Sequence, residues 1–277
     1  MTNPAPKFGT YALPEEREAL RLRADKCGDS RLGRWGISYW RKRAFKGLEG
    51  PFDVTVMPGV KARLYPRSNR CEKRVFAGQH IWDAPERAAL LSALENSKSA
   101  PFVFFDVGAN VGLYSLILAA KAREIDCDAL ITAIEPDTTN RSRLEFNINA
   151  SGANITVLPC AISDAKGEGV MGGGDINRGE VKLQSGVAGT SVLIKTLYTV
   201  CKAVGISHID AMKVDIEGHD LRALTAFFKD APQIFWPRLL ILETGRETTT
   251  PLLELCAARG YTIHTRTGIN SILVRGE

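Results

Sequence analysis

The sequence predicts an α/β protein built on a doubly wound, mostly parallel sheet. A C-terminal hairpin adds an antiparallel strand, and an α+β extension precedes the sheet. Three observations predict this class. From Pro101 onward, short apolar runs alternate with helix-like segments, and such alternation makes parallel strands joined by right-handed crossovers. The first run ends in "FFDVGANVGLYS", residues 104–115, where glycines separate a strand from a helix; such a turn lets the backbone come close to a ligand. Near the end, "YTIHTR" and "SILVR" are separated only by "TGIN", which is short enough for a hairpin.

The elements follow in order. Residues 14–27 read as a charged helix. "FDVTVMPGVKARLYP" reads as a hairpin, because Val60, Ala62 and Leu64 alternate with Lys61, Arg63 and Tyr65 after a Pro-Gly turn. "DAPERAALLSALENS" reads as a helix with Asp83 as N-cap, Pro85 in the first turn and a stripe of Leu90, Leu91 and Leu94. These segments form an extension over 1–98; the ligand-binding domain covers 99–277. There "FVFFD", "ALITAIEP", "ITVLPCAIS", "IDAMKVD" and "RLLILE" are successive strands, and the last helix, "TPLLELCAARG", has Thr250 as N-cap and Gly260 beyond its end. Residues 165–190 hold eight of the 25 glycines. A stretch of that length is either an active-site flap or a glycine-rich hairpin at the sheet edge.

Composition narrows the function classes. The six cysteines lie tens of residues apart with no CxxC pair, which argues against zinc and a disulfide framework and predicts a reducing, cytoplasmic setting. The beginning of the chain lacks a basic-then-apolar signal pattern. The most apolar window, around 101–120, contains Asp106 and Asn110, so no transmembrane segment is expected. The net charge of +5 is uneven: residues 1–100 carry 19 Lys and Arg against 11 Asp and Glu. The excess concentrates in "SRLGRWGISYWRKRAFKG", residues 30–47. That segment reads first as a solvated amphipathic helix with inward aromatics. Its alternative is a surface for phosphate-bearing, nucleic-acid or acidic-lipid partners.

Ligands on open α/β sheets sit at the C-terminal ends of central strands. Here the first strand ends in Asp106, Gly108, Asn110 and Gly112, and the second ends in Glu135, 29 residues after Asp106. An acid at the second position is placed to bind both hydroxyls of a ribose, as in a dinucleotide or S-adenosylmethionine. The pyrophosphate fingerprint G-x-G-x-x-G is missing from this turn, and an acid stands before the first glycine. A carboxylate repels a pyrophosphate and attracts the α-ammonium group of a methionine moiety. The residues therefore favour S-adenosylmethionine over NAD.

"FFDVGANVGLYS", "IEPD", "AISDAKG", "MKVDIEGHDLRAL" and "ILE" together resemble the FkbM family of methyltransferases, a class I, Rossmann-like, S-adenosylmethionine-dependent group. The resemblance runs from about Trp82 to Arg275. It implies a seven-stranded sheet and a methionine-end pocket of Asp106, Gly108, Asn110 and Gly112. It also implies a ribose contact from Glu135 and an approach of Asp164 to the adenine amino group. "IWDAPE" has Asp83 where the family more usually has Glu. "TLYTV" places Tyr198 and Thr199 where the family often has two acids, which puts any role of those acids in doubt.

Methyl transfer needs an aligned nucleophile and, for a hydroxyl, a proton acceptor. The best-placed candidates follow the fourth strand: Asp215 near the transfer centre, with Glu217 or His219 as general base and Glu243 closing the pocket. Each has a structural alternative. Lys213 pairs with a carboxylate, Glu217 and Asp220 cap the next helix, and His219 faces solvent. Asp215, Glu217 and Glu243 also form a conceivable divalent-metal site, which is not favoured. The sequence thus predicts O-methylation of a hydroxyl on a small molecule or glycan acceptor, with S-adenosylhomocysteine as product. The alternatives are an NAD-dependent oxidoreductase and a non-catalytic binding module. A nucleic-acid substrate is disfavoured, because no N-P-P-Y-type motif is present.

Overall fold

A computed structural model of the chain describes residues 5–172, 182–184 and 190–276. Its first part holds α1 (Glu15–Asp25), α2 (Arg31–Phe45), the hairpin β1 (Phe52–Met57) and β2 (Val60–Leu64), α3 (Arg70–Phe76) and α4 (Ala84–Glu95). The alternating part follows with β3 (Phe102–Val107), α5 (Leu113–Glu124), β4 (Ala129–Ile134), α6 (Thr138–Ser151) and β5 (Thr156–Leu158). Next come β6 (Cys160–Ile162), β7 (Gly167–Gly172), β8 (Lys182–Gln184) and β9 (Thr190–Lys195). The chain continues with α7 (Leu197–Val204), β10 (Ala211–Val214), α8 (Asp220–Asp230), β11 (Leu239–Glu243), α9 (Pro251–Ala257), β12 (Tyr261–Thr267) and β13 (Asn270–Arg275).

The main sheet has seven strands in the order β12-β13-β11-β10-β3-β4-β5. Only β13 runs antiparallel to its neighbours β11 and β12. The chain moves outward from β3 through β4 to β5, then returns to the other side of β3 at β10. That reversal opens a crevice beyond the carboxyl ends of β3 and β10, where open α/β sheets take ligands. The central strand is covered on both faces. Phe102 and Phe104 enter the core beneath α4, α5 and the extension, whereas Val103, Phe105 and Val107 enter the core beneath α7, α8 and α9. Period-two alternation along one apolar run thus feeds two layers. Among the described residues, no helix is long and apolar enough to cross a membrane.

The structure departs from the sequence reading at several points. "ITVLPCAIS" is not one strand. β5 closes the edge of the main sheet, and after Pro159 the chain enters a second, four-stranded sheet ordered β6-β9-β7-β8. Proline has no N–H to extend a ladder. The question of flap or edge hairpin for residues 165–190 falls on 173–181 and 185–189, which lie outside the described residues. Asp83 precedes α4 but makes no side-chain capping bond; its carboxylate instead accepts from the Tyr114 hydroxyl at 3.1 Å.

Arg63, at a polar position of the period-two alternation in β2, is buried. Its guanidinium donates to both Asp53 carboxylate oxygens, at 2.7 and 2.9 Å. It lies between the rings of Phe146 on α6 (3.9 Å to the centroid) and Tyr11 (4.6 Å). The same β2 backbone donates from the Arg63 N–H to Asn147 Oδ1 on α6 at 2.8 Å. The hairpin is therefore fastened to the main domain by a buried, stacked ion pair. Removing one partner strands a buried charge. Asp53→Ala should cost about 3–5 kcal/mol in urea unfolding, and the double variant Asp53→Leu/Arg63→Met less than that; equal losses would show that packing dominates the pair.

Candidate functional site

The turn after β3 brings two backbones unusually close. Gly108 has φ +78°, and a Cβ built there would lie 1.9 Å from the Asp215 carbonyl oxygen. No side chain fits in that gap. Gly112, with φ +81°, packs the same way against Leu144 of α6. Asn110 also takes a left-handed conformation, φ +54°, which Asn tolerates better than most residues. Its backbone N–H donates to Glu135 Oε2 at 2.8 Å, and Asn69 of the extension donates to its side-chain carbonyl at 2.8 Å.

Two cavity lobes meet at this turn, and Gly108, Asn110, Asp215 and Glu217 line both. The first lobe has an apolar wall and a polar rim. It is walled by Ile134, Cys160, Ala161, Ile162 and Met171, and Glu135, Asn140 and His219 join the shared Asn110, Asp215 and Glu217 as its polar members. The second has a volume of about 340 Å³ and is strongly charged. Asp106, Lys213, Asp215 and Glu243 come from the sheet, Tyr114 from α5 and Asn270 from β13. The extension supplies Arg70, Arg74, Trp82 and Asp83.

Asp106 is buried. One carboxylate oxygen accepts from the backbone N–H and hydroxyl of Ser115, at 3.2 and 2.7 Å. The other, Oδ1, has no hydrogen-bond partner among the described residues. Burial raises this carboxyl above its ordinary value, against the pull of Lys213 and Ser115. An unpaired buried acceptor is costly, so an ammonium donor reaching this oxygen from the charged lobe would relieve it. The residues present therefore fit a ligand with a charged amino end.

Lys213 Nζ donates to Asp215 Oδ2 at 3.0 Å and sits 5.3 Å from the Tyr114 ring centroid. Burial disfavours its charge, but Asp215 and then Asp106 more than offset that and raise its pKa. Asp215, against its own burial, is held below the usual carboxylate range by Lys213 and by a hydrogen bond with Glu243. Burial and the adjacent Asp215 charge push Glu243 well above that range. This pair divides its roles as neighbouring carboxylates do: one stays ionised and the other readily holds a proton.

The expected site residues do not all converge. Asp106, Gly108, Asn110, Glu135, Asp215, Glu217 and His219 line the lobes, while Gly112 shapes the turn behind them. Asp164 does not reach either lobe; it lies at the surface in an ion pair with Arg222 of α8 at 3.0 Å. Glu217 adopts φ +53°. Asp220 caps the turn by accepting from the Ile216 and Gly218 N–H groups, both at 3.2 Å. His219 lines only the apolar lobe, with Nδ1 3.4 Å from Ser163 Oγ. Among the described residues, no three His, Cys, Asp or Glu side chains are grouped to hold a metal ion. Sequence reasoning did not single out Arg70, Arg74, Tyr114 or Met171 for this site. The i, i+4 spacing of the two arginines on one helix was the available signal.

The sequence profile described as "Methyltransferase FkbM domain" matches residues 106–263. The chain is 39% identical over 66 residues to the AMB antimetabolite synthetase AmbE of Pseudomonas aeruginosa, a match covering 24% of this chain and 3% of that protein. The chain thus spans a small fraction of that curated relative. A S-adenosylmethionine-dependent methyltransferase from Agrobacterium tumefaciens is similar in structure, with TM-score 0.44 and 13% identity over 82% of this chain and 70% of that one. So is a precorrin-6y C5,15-methyltransferase from Geobacter metallireducens, with TM-score 0.42 and 13% identity over 72% of this chain and 90% of that one.

Gly108→Ala combines a left-handed backbone with the 1.9 Å overlap, whereas Gly218, φ +97°, faces open space. Gly108→Ala should therefore lower the thermal midpoint clearly more than Gly218→Ala, whose cost is limited to roughly 1–2 kcal/mol of backbone strain. Glu135 yields a second test. Its burial raises the carboxyl from 4.5 to about 8, although the Asp137 and Asn110 N–H groups oppose this. The folded state therefore binds this proton more tightly than the unfolded chain. Its contribution to stability is full below the unfolded value and is lost as pH rises through the folded one. The stability difference between wild type and Glu135→Gln should change across about pH 4.5–8 in that direction; a flat difference in pH-dependent urea titrations would refute it.

Proposed function

The chain belongs to the FkbM methyltransferase family, and on that premise we propose that it methylates a hydroxyl on a small molecule or saccharide, using S-adenosylmethionine. What carries the reading is the two-lobed cavity, whose apolar and charged lobes share Gly108, Asn110, Asp215 and Glu217. An apolar lobe beside a buried acid suits adenosine. A charged lobe with an unpaired carboxylate oxygen suits a zwitterionic methionine end. In this reading Glu135 faces the ribose and Asp106 Oδ1 accepts from the α-ammonium group. Asp164 approaches the adenine edge only by leaving Arg222. A dinucleotide fits less well, since Asp106 would face a pyrophosphate. Residues 1–98 act as an extension that walls the charged lobe, and residues 99–277 as the cofactor domain. The free state of all six cysteines fits a reducing cytoplasm.

S-adenosylmethionine, when bound, supplies an electrophilic methyl group and leaves as S-adenosylhomocysteine. The chain's own part is to orient the acceptor hydroxyl and remove its proton. Asp215, kept ionised by Lys213, stands near the transfer point and raises the proton affinity of its neighbour Glu243. Glu243, paired with Asp215, takes the proton once it is itself ionised. We place the base role here rather than on His219, because His219 lines only the apolar lobe. Glu217 lines both lobes and flanks the transfer point. Lys213 occupies Asp215 Oδ2, which makes this carboxylate group a poor cation site.

Calorimetry with S-adenosylmethionine and S-adenosylhomocysteine is the direct test. Asp106→Ala and Glu135→Ala should each weaken binding by on the order of tenfold or more, the worth of a charge-assisted hydrogen bond. An absence of binding by clean wild-type protein would sink the reading. With an active acceptor, kcat should rise with pH as Glu243 ionises, and Glu243→Gln should abolish that limb while leaving S-adenosylhomocysteine affinity nearly unchanged. A Glu243→Gln profile identical to wild type would move the base elsewhere.

A further inference from the structure

We propose that the outer face of α2 docks on an anionic lipid surface. This inference is independent of the methyl-transfer reading. The helix buries Ile37 and Ala44 against the rest of the chain. Its opposite side exposes Leu32 at 84%, Trp35 at 68% and Tyr39. Their spacing of three and four residues puts these apolar side chains in one row. The helix carries Arg31, Arg34, Arg41, Lys42 and Arg43 and no acid. Arg41 turns inward to the Lys73 and Ala77 carbonyl oxygens, and Arg34 pairs with Asp29. Arg31 and Lys42 remain exposed, and so does Arg43, which donates to the Tyr39 hydroxyl at 3.1 Å; all three lie three or four residues from members of the apolar row and therefore beside it.

A row of Leu, Trp and Tyr bordered by cations has the chemistry of an interfacial helix. The apolar tips enter the head-group boundary, the aromatic rings sit at its level, and the long basic side chains reach lipid phosphates. Other occupants match less well. Trp35 and Tyr39 already stack on each other, with ring centroids 5.6 Å apart and planes 12° apart, which leaves less ring face for nucleic-acid bases. The most exposed member, Leu32, has no ring to stack. A symmetric contact between two copies would set this acid-free helix against itself, and like charges across an interface are unfavourable. Charge complementarity thus selects an anionic surface that also accepts apolar side chains.

Vesicle co-sedimentation tests the proposal. Wild-type protein should bind phosphatidylcholine vesicles doped with phosphatidylglycerol, ignore pure phosphatidylcholine, and bind less as salt rises. Leu32→Ser/Trp35→Ser should weaken binding about tenfold or more through lost apolar contact. Lys42→Glu/Arg43→Glu should weaken it about tenfold through charge reversal. All substituted side chains are exposed, so unfolding profiles should match wild type. No binding to anionic vesicles at low salt would overturn the proposal, as would binding indifferent to the serine pair. Tighter binding to an RNA oligomer than to vesicles would reassign the face. So would a dimer in sedimentation velocity that the serine pair dissociates.

Discussion

A buried ammonium group organises the centre of this protein. Lys213 stands on β10, directly beside Asp106 of β3 in the parallel register, at the point where the sheet order reverses. Burying that charge is tolerable only among acids, and Asp215 and Asp106 supply them. The ammonium in turn sets the protonation of its surroundings. It keeps Asp215 ionised, and the ionised Asp215 raises Glu243. One cation therefore generates two carboxyl groups of unlike character within a single cavity.

Backbone geometry gives that cluster its place. Gly108 lets the β3 turn press against the Asp215 carbonyl group, so the ends of β3 and β10 lie together and the two lobes meet. The lobes differ because different elements wall them. Met171 and the short strand β6 bring apolar side chains to one side, while α3 and the segment before α4 bring arginines and an aspartate to the other. The extension is continuous with the sheet domain. Its buried side chains share one core with α5 and α6, and the Arg63–Asp53 pair, clasped by Phe146, fastens the hairpin. Trp82 packs edge-on against Tyr114 at 5.3 Å, so a motif ahead of the sheet meets the first helix after the turn.

The departures from sequence expectation share a cause. Arg63 sits at an alternating polar position in a hairpin, and period two correctly predicts which face it takes. That face looks outward only if nothing covers it, and α6, distant in sequence, does cover it. Asp83 has the residue type and position of an N-cap, yet Tyr114 engages its carboxylate. Asp164 lies at the predicted strand end, but the chain leaves the main sheet after Pro159 and carries it to Arg222. Each local rule held for its own segment, and a partner far along the chain decided the outcome.

The sequence by itself determined the strand and helix rhythm of the main sheet from Pro101 onward, apart from the break at Pro159 and the second sheet after it, together with the antiparallel hairpin and the glycine turn at residues 106–112. It did so because apolar periodicity and glycine placement act over a few residues. It also brought forward Asp215 and Glu217, which follow the fourth strand, and Glu243 at the end of the fifth. The division of labour between Asp215 and Glu243 was left to tertiary structure, because a protonation preference depends on the charges a few ångströms away in space. Tertiary structure likewise decided that Arg70 and Arg74 wall the charged lobe. It also decided that Trp40 packs inward while Trp35, on the same helix, does not. Such pairings are set by which surfaces the folded chain leaves uncovered, and no local pattern encodes that.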